Sequence, residues 1–323
     1  MGWRVSLRYQ PLARTIPPVR LRHIVIILAV WLLNIMPSQA QSPVFDGTSA
    51  FTFLYKQVEM GPRTPGSDAH ARAVASYKEW FEKCGARVRL QPFSADVHTS
   101  PDGDAPKKRM DGNNVIARFG DALYTDYILC AHFDTRPWAD EDPDPGRRLE
   151  PIDGANDGAS GVAVLLEMAR LFSTQPPPVT VEIVLFDLED SGASGDNESY
   201  CLGSAYYAKN HSGPAPIGAI LLDMVGDADL EIPQEWFSWA YAPEWTKQVF
   251  DLAEEIDADA FVPVVGDPVY DDHVPLLRAG IPAVDLIDFN YPYWHTHNDK
   301  PEACAPESLE QVGRLLVRLV YGE

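Results

Sequence analysis

The spacing of apolar residues changes period along this chain, and each change marks an element. From Thr48 to Phe81 apolar positions recur at helical spacing on both sides of the turn Gly61-Pro62-Arg63-Thr64-Pro65-Gly66-Ser67. Two helices are predicted there, the second starting at Asp68 and aligning Ala71, Ala73, Val74, Tyr77, Trp80 and Phe81. Residues 86–97 and 114–118 read as strands, with a Pro/Gly/Asp/Lys loop over 99–112 between them. Beyond residue 126 short apolar runs alternate with helical ones. Tyr127–Ala131, Val179–Phe186, Ala219–Leu222 and Ile281–Ile287 predict strands. Gly161–Phe172, Leu202–Asn210, Pro243–Ile256 and Pro306–Tyr321 predict helices, and His273–Arg278 a helical turn. An acidic, Pro-rich loop spans Asp140 to Asp153. Strands alternating with helices predict one α/β domain with a mainly parallel sheet. No repeat and no interdomain linker interrupts it.

The first 40 residues follow a different pattern. Arg4, Arg8, Arg14, Arg20 and Arg22 precede an apolar stretch from Ile24 to Leu33, then Pro37 and the small-residue run Ser38-Gln39-Ala40. This order predicts a secretory signal peptide over residues 1–40, with a catalytic domain over 41–323. The apolar stretch is shorter than the roughly 20 residues of a membrane span. An uncleaved signal anchor is the alternative, and the only membrane attachment expected. The catalytic part is placed outside the cytoplasm, periplasmic or secreted. The formal net charge is −21. Residues 1–40 hold five Arg and no acid, so the rest of the chain is more negative still. Such a surface repels nucleic acid and anionic lipid, and attracts metal ions and peptide α-amines. The four cysteines, Cys84, Cys130, Cys201 and Cys304, show no close metal spacing. An oxidising compartment permits disulfides, but three pairings are open.

Polar groups follow nearly every predicted strand of the second half. Tyr127–Ala131 runs into His132-Phe133-Asp134, Val179–Phe186 into Asp187-Leu188-Glu189-Asp190, Ala219–Leu222 into Asp223, and Ile281–Ile287 on toward Trp294-His295-Thr296. In open α/β sheets ligands bind beyond the carboxyl ends of the strands, so these segments predict one site. Carboxylates gathered there repel one another unless a cation joins them, and oxygen with imidazole ligands suits zinc. Asp157, in Gly154-Ala155-Asn156-Asp157-Gly158-Ala159-Ser160-Gly161, sits in a Gly-rich turn before a helix, where a short acid can reach a metal or cap the helix. Glu189 and Asp190 are adjacent, so on extended backbone one can hold a metal while the other faces substrate.

The order His132-x-Asp134, Asp157, Glu189-Asp190, Asp223 and His295 in Trp-His-Thr resembles the M28 zinc aminopeptidase family over residues 50 to 320. Within it, HFDTRPWADEDPDP (132–145), Tyr270-Asp271-Asp272-His273 and Trp294-His295-Thr296 resemble the glutaminyl-peptide cyclotransferase branch, in its bacterial form. The resemblance implies a mixed central sheet flanked by helices. It also implies either of two chemistries. In a cyclase one zinc falls on Asp157, Asp190 and His295, and Glu189, Asp223 and Asp271 form the proton-handling acids. In an aminopeptidase two zinc ions fall on His132, Asp157 as bridge, Asp190, Asp223 and His295. His132 and Asp134 are then second-metal or supporting groups. The cyclase reading implies peptides with a free N-terminus, glutamine first, and a pocket walled by Trp294 with Tyr291 or Tyr293. Two departures from the animal cyclases touch that pocket: no Trp follows Glu189-Asp190 closely, and Asp285 stands where they carry His. A binding protein without catalysis is the third reading, against which every ligand and catalytic position is filled.

Overall fold

A computed structural model describes residues 42–322, so the expected signal segment lies outside the described residues. The described elements are α1 (Gly47–Val58), α2 (Asp68–Lys83), β1 (Arg87–Val97), β2 (Lys108–Phe119), β3 (Tyr127–His132), α3 (Ala159–Thr174), β4 (Val181–Phe186), α4 (Leu202–Asn210), β5 (Gly218–Asp223), β6 (Ile232–Gln234), α5 (Trp236–Tyr241), α6 (Pro243–Glu255), β7 (Phe261–Val265), α7 (His273–Arg278), β8 (Ala283–Ile287) and α8 (Pro306–Tyr321).

Six strands form one sheet in the order β1-β2-β4-β3-β5-β8. β1 pairs antiparallel with β2, and β2 with β4; β4, β3, β5 and β8 run parallel. The expected mixed, mainly parallel sheet flanked by helices is therefore present. Successive residues of a strand face opposite sides. In β3 and β4, Leu129, Ala131, Ile183 and Leu185 pack under α1, α2, α3, α6 and α8. Ile128, Cys130, Val184 and Phe186 pack on the other side, against Tyr207 of α4 and Leu276 of α7. Burial on both faces is why the central strands read as unbroken apolar runs.

Three stretches differ from the sequence expectation. Residues 108–112 were expected in a loop but belong to β2, because β1 supplies a continuous antiparallel partner from Arg87↔Arg118 to Val97↔Lys108. α5 and the short parallel pair β6–β7 were not anticipated. Three to six residues are too few to show a period. All four cysteines are buried and free, so none of the permitted disulfides forms among the described residues. No helix among these residues is long and apolar enough to cross a membrane.

One contact holds the Asp157 turn against the sheet. α3 approaches β5 so closely that a Cβ on Gly161 would lie 2.2 Å from the Leu222 carbonyl oxygen. Backbone cannot yield as a flexible side chain does. Gly161→Ala is expected to destabilise the fold by roughly 1–3 kcal/mol. The midpoint of denaturant unfolding, measured against the parent chain, checks this.

Candidate active site

The strand ends converge as expected. His132 is the last residue of β3, Glu189 and Asp190 follow β4, and Asp223 ends β5. Asp157 comes from the turn before α3, and His295 from the loop after β8. The backbone bends sharply around this point. Leu188, Cys201, Met224 and His295 all adopt left-handed φ, between 47° and 57°. Such conformations cost on the order of 1–3 kcal/mol each and persist where surrounding contacts impose them. They turn the Glu189-Asp190 pair and the His295 ring into the site.

Asp157, Asp190 and His295 form a buried triad whose ligand atoms lie within 4.8 Å of one another. His295 Nε2 is 3.5 Å from Asp190 Oδ1 and 3.8 Å from Asp157 Oδ2. Ligands at about 2.0–2.1 Å around a tetrahedral ion stand about 3.4 Å apart, close to this spacing. Asp190 Oδ2 is buried without a hydrogen-bond partner. The triad therefore fits a zinc ion on its donor set, its spacing and its unpaired oxygen. The electrostatics agree. Burial alone would lower the His295 pKa, but Asp190 and Asp140 outweigh it and push it up to about 9. Burial, reinforced by Asp157, pushes Asp190 upward. Both shifts express a local excess of negative charge, which a divalent cation relieves.

The second half of the site shares Asp157. His132 Nε2 lies 3.2 Å from Asp157 Oδ1 and 3.1 Å from Asp223 Oδ1. Asp157 thus turns one oxygen to each imidazole. Burial opposes a proton on His132, yet Asp223 and the other carboxylates hold its pKa well above the ordinary value.

Glu189 sits beside this pair. Its Oε2 is 3.8 Å from His132 Nδ1, and the Cys201 thiol donates to Oε1 at 3.5 Å. Glu189, Cys201 and Asp271 form a further close buried group. Burial drives Glu189 well above the usual carboxyl range; His132 opposes this and Asp190 and Asp271 add to it. Asp271 is driven up likewise, by burial and then by Asp223. Glu189 and Asp271, both driven upward, are thus gathered in one buried group. Asp285 is fully buried behind them, with its Oδ2 3.5 Å from His273 Nδ1.

Asp134 serves the backbone rather than a metal. Its two oxygens accept the Glu189 and Asp190 amides at 3.1 and 3.2 Å, fixing the turn that presents both acids. Asp299 does the same for the Asn156 and Asp157 amides, at 2.8 and 3.1 Å. Arg136 donates to the Asp190 and Gly192 carbonyls and pairs with Asp140, whose Oδ1 lies 3.1 Å from His295 Nδ1. A carboxylate on that nitrogen orients the ring so that Nε2 faces the triad. Sequence reasoning missed Arg136, Asp140, Asp299 and Cys201. The first two lie inside HFDTRPWAD and Asp299 just beyond Trp-His-Thr, so proximity to the motifs was the available signal.

A cleft of ≈ 310 Å³ opens on these groups. Trp294 lines it, stacked on His295 with ring centroids 3.8 Å apart. The tyrosines expected beside it do not line it. Tyr291 is buried behind the site, donating to Asp299 at 2.9 Å. Tyr293 lines a separate acidic depression with Asp227 and Asp288. The loop reverses after Ile287, so only Trp294 of the three faces inward. Tyr200, Tyr270 and Phe289 supply the other aromatic surfaces.

Residues 114–320 match the family Peptidase family M28. The glutaminyl-peptide cyclotransferase-like protein of Mus musculus is 27% identical over 283 residues, covering 79% of this chain and 70% of its own length. The crystal structure of Bacteroides thetaiotaomicron glutaminyl cyclase bound to N-acetylhistamine superposes with a TM-score of 0.81, at 34% identity, over 88% of this chain and all of that one. A leucine aminopeptidase precursor from Bacteroides thetaiotaomicron superposes with a TM-score of 0.79, at 35% identity, over 88% of this chain and 99% of its own.

Proposed function

This chain belongs to Peptidase family M28, and from that footing we propose that it is a zinc-dependent glutaminyl-peptide cyclotransferase, converting N-terminal glutamine of peptides to pyroglutamate with release of ammonia. The observation that carries this reading is the buried Asp157–Asp190–His295 triad with Glu189 and Asp271 gathered beside it on the same cleft. In this reading a single zinc would be held by Asp157, Asp190 and His295. Glutaminyl cyclases among the similar proteins support the same chemistry.

Zinc bound at this triad supplies Lewis-acid polarisation of the γ-carbonyl. Glu189 faces the cleft and takes a proton from the α-amine as the amine nitrogen bonds to the side-chain carbonyl carbon. The same carboxyl returns that proton to the departing nitrogen as the carbon–nitrogen bond of the side-chain amide breaks, giving ammonia. Asp271, grouped with Glu189, and Asp223, bonded to the neighbouring His132, set how readily Glu189 gives and takes the proton. Trp294 walls the cleft and excludes water, so the internal amine outcompetes hydrolysis. Export is part of the proposal: residues 1–40 direct the catalytic domain out of the cytoplasm.

A second reading, a dinuclear aminopeptidase, is favoured by the complete set of five metal-competent residues and by the similar leucine aminopeptidase precursor. The product separates them. A Gln-peptide incubated with the enzyme is expected to lose one ammonia while keeping its length, in proportion to one zinc per chain. Stripping the metal with a chelator is expected to abolish turnover, and one equivalent of zinc to restore it. Release of free glutamine with two zinc ions per chain would replace the cyclase by the peptidase.

A further inference from the structure

A second cavity, of ≈ 290 Å³, adjoins the cleft, and Tyr200 and Tyr270 line both. The two rings therefore form a saddle between them. The far cavity has small and apolar surfaces from Ala205, Ala208, Pro275 and Ala279, with Lys209 and Arg278 at its edge. Its walls are tied in place. The Arg278 guanidinium lies over the Tyr270 ring at 5.2 Å and donates to Tyr270 Oη and Glu198 Oε1, each at 3.0 Å. On the other side the Arg136 guanidinium lies 5.4 Å from the Tyr200 ring centroid. The same arginine carries the hydrogen bonds that set Asp190 and, through Asp140, His295. One side chain thus fixes both the triad and the saddle.

We propose that this second cavity is a subsite for the peptide chain downstream of its N-terminal residue, with backbone passing over Tyr200 and Tyr270 and an apolar side chain lodged among Ala205, Ala208 and Ala279. The inference rests on the peptide-substrate reading above, and the shared rings give the continuity. A substrate whose first residue fills the cleft must leave it somewhere, and partly buried, pre-positioned aromatic surfaces bind an extended chain with little ordering cost.

The test compares three substrates on the purified full chain: a Gln-Gly dipeptide amide, a Gln-started tetrapeptide with Gly at positions three and four, and one with Leu at both. Leu is expected to raise kcat/KM about tenfold over Gly, as remote binding energy is realised in the transition state. Ala279→Trp, at an exposed helix end, is expected to remove that gain while leaving the dipeptide within about twofold of the parent. Equal kcat/KM for the Leu and Gly tetrapeptides, or a variant that slows dipeptide and tetrapeptide alike, overturns the subsite. If no Gln-peptide is turned over, the cyclase reading fails by itself. The subsite is then read by calorimetric binding of the two tetrapeptides, where equal affinity overturns it.

Discussion

Glu189→Gln is expected to lower kcat on a Gln-peptide by about a thousandfold, within the range that positioned proton transfer supplies. The amide keeps the shape of the carboxyl but cannot accept and return a proton. Glu189 is not in the Asp157–Asp190–His295 triad, so the variant is expected to keep its zinc. Its Oε1 accepts only the weak Cys201 thiol bond, so the loss to stability is small. The fall is expected in kcat rather than KM, since the proton moves only as the new bond forms. Steady-state kinetics beside metal analysis and a melting curve check all three parts. Unchanged kcat would remove Glu189 from the chemistry and with it the proposed proton path.

His295→Ala carries the second large effect. It removes the one imidazole of the triad and leaves Asp157 and Asp190 without a nitrogen ligand between them. Zinc affinity is expected to fall by well over the roughly 10–100-fold that loss of a group supporting a ligand costs. The purified variant is expected to carry almost no zinc and to show no turnover at ordinary zinc concentrations. Asp140→Ala provides the graded comparison. It leaves the ligand in place but takes away the carboxylate 3.1 Å from His295 Nδ1. Its affinity is expected to fall by about 10–100-fold, so added zinc restores activity. Competition with a chromophoric chelator measures both. Full zinc content in His295→Ala would show that the metal sits elsewhere, and the His132–Asp157–Asp223 group is where it would be sought.

These two variants touch residues visible in the sequence, whereas much of what makes them work was not. Glu189, Asp190 and His295 follow runs of apolar residues that mark strand ends, and strand ends of a parallel sheet share one edge. Arg136 and Asp140 sit in a loop without a period. Nothing local says that the guanidinium turns to the Asp190 carbonyl or that Asp140 turns to His295. Tyr291 and Tyr293 fail for the same reason: both flank Trp294 in sequence, yet one is buried against Asp299 and the other lines another depression.

By itself, the sequence determined the α/β class, most element positions and the order of the acids and imidazoles. Element positions depend on burial, which leaves unbroken apolar runs in the doubly covered strands and a 3.6-residue period in the helices. Tertiary structure alone decided which oxygen of Asp157 meets which imidazole, which aromatic rings wall the cleft, and that Asp134 holds amides. These depend on side-chain direction after reversed turns at Leu188, Met224 and His295. Contacts from distant strands and loops impose such left-handed backbone, so no local pattern records it.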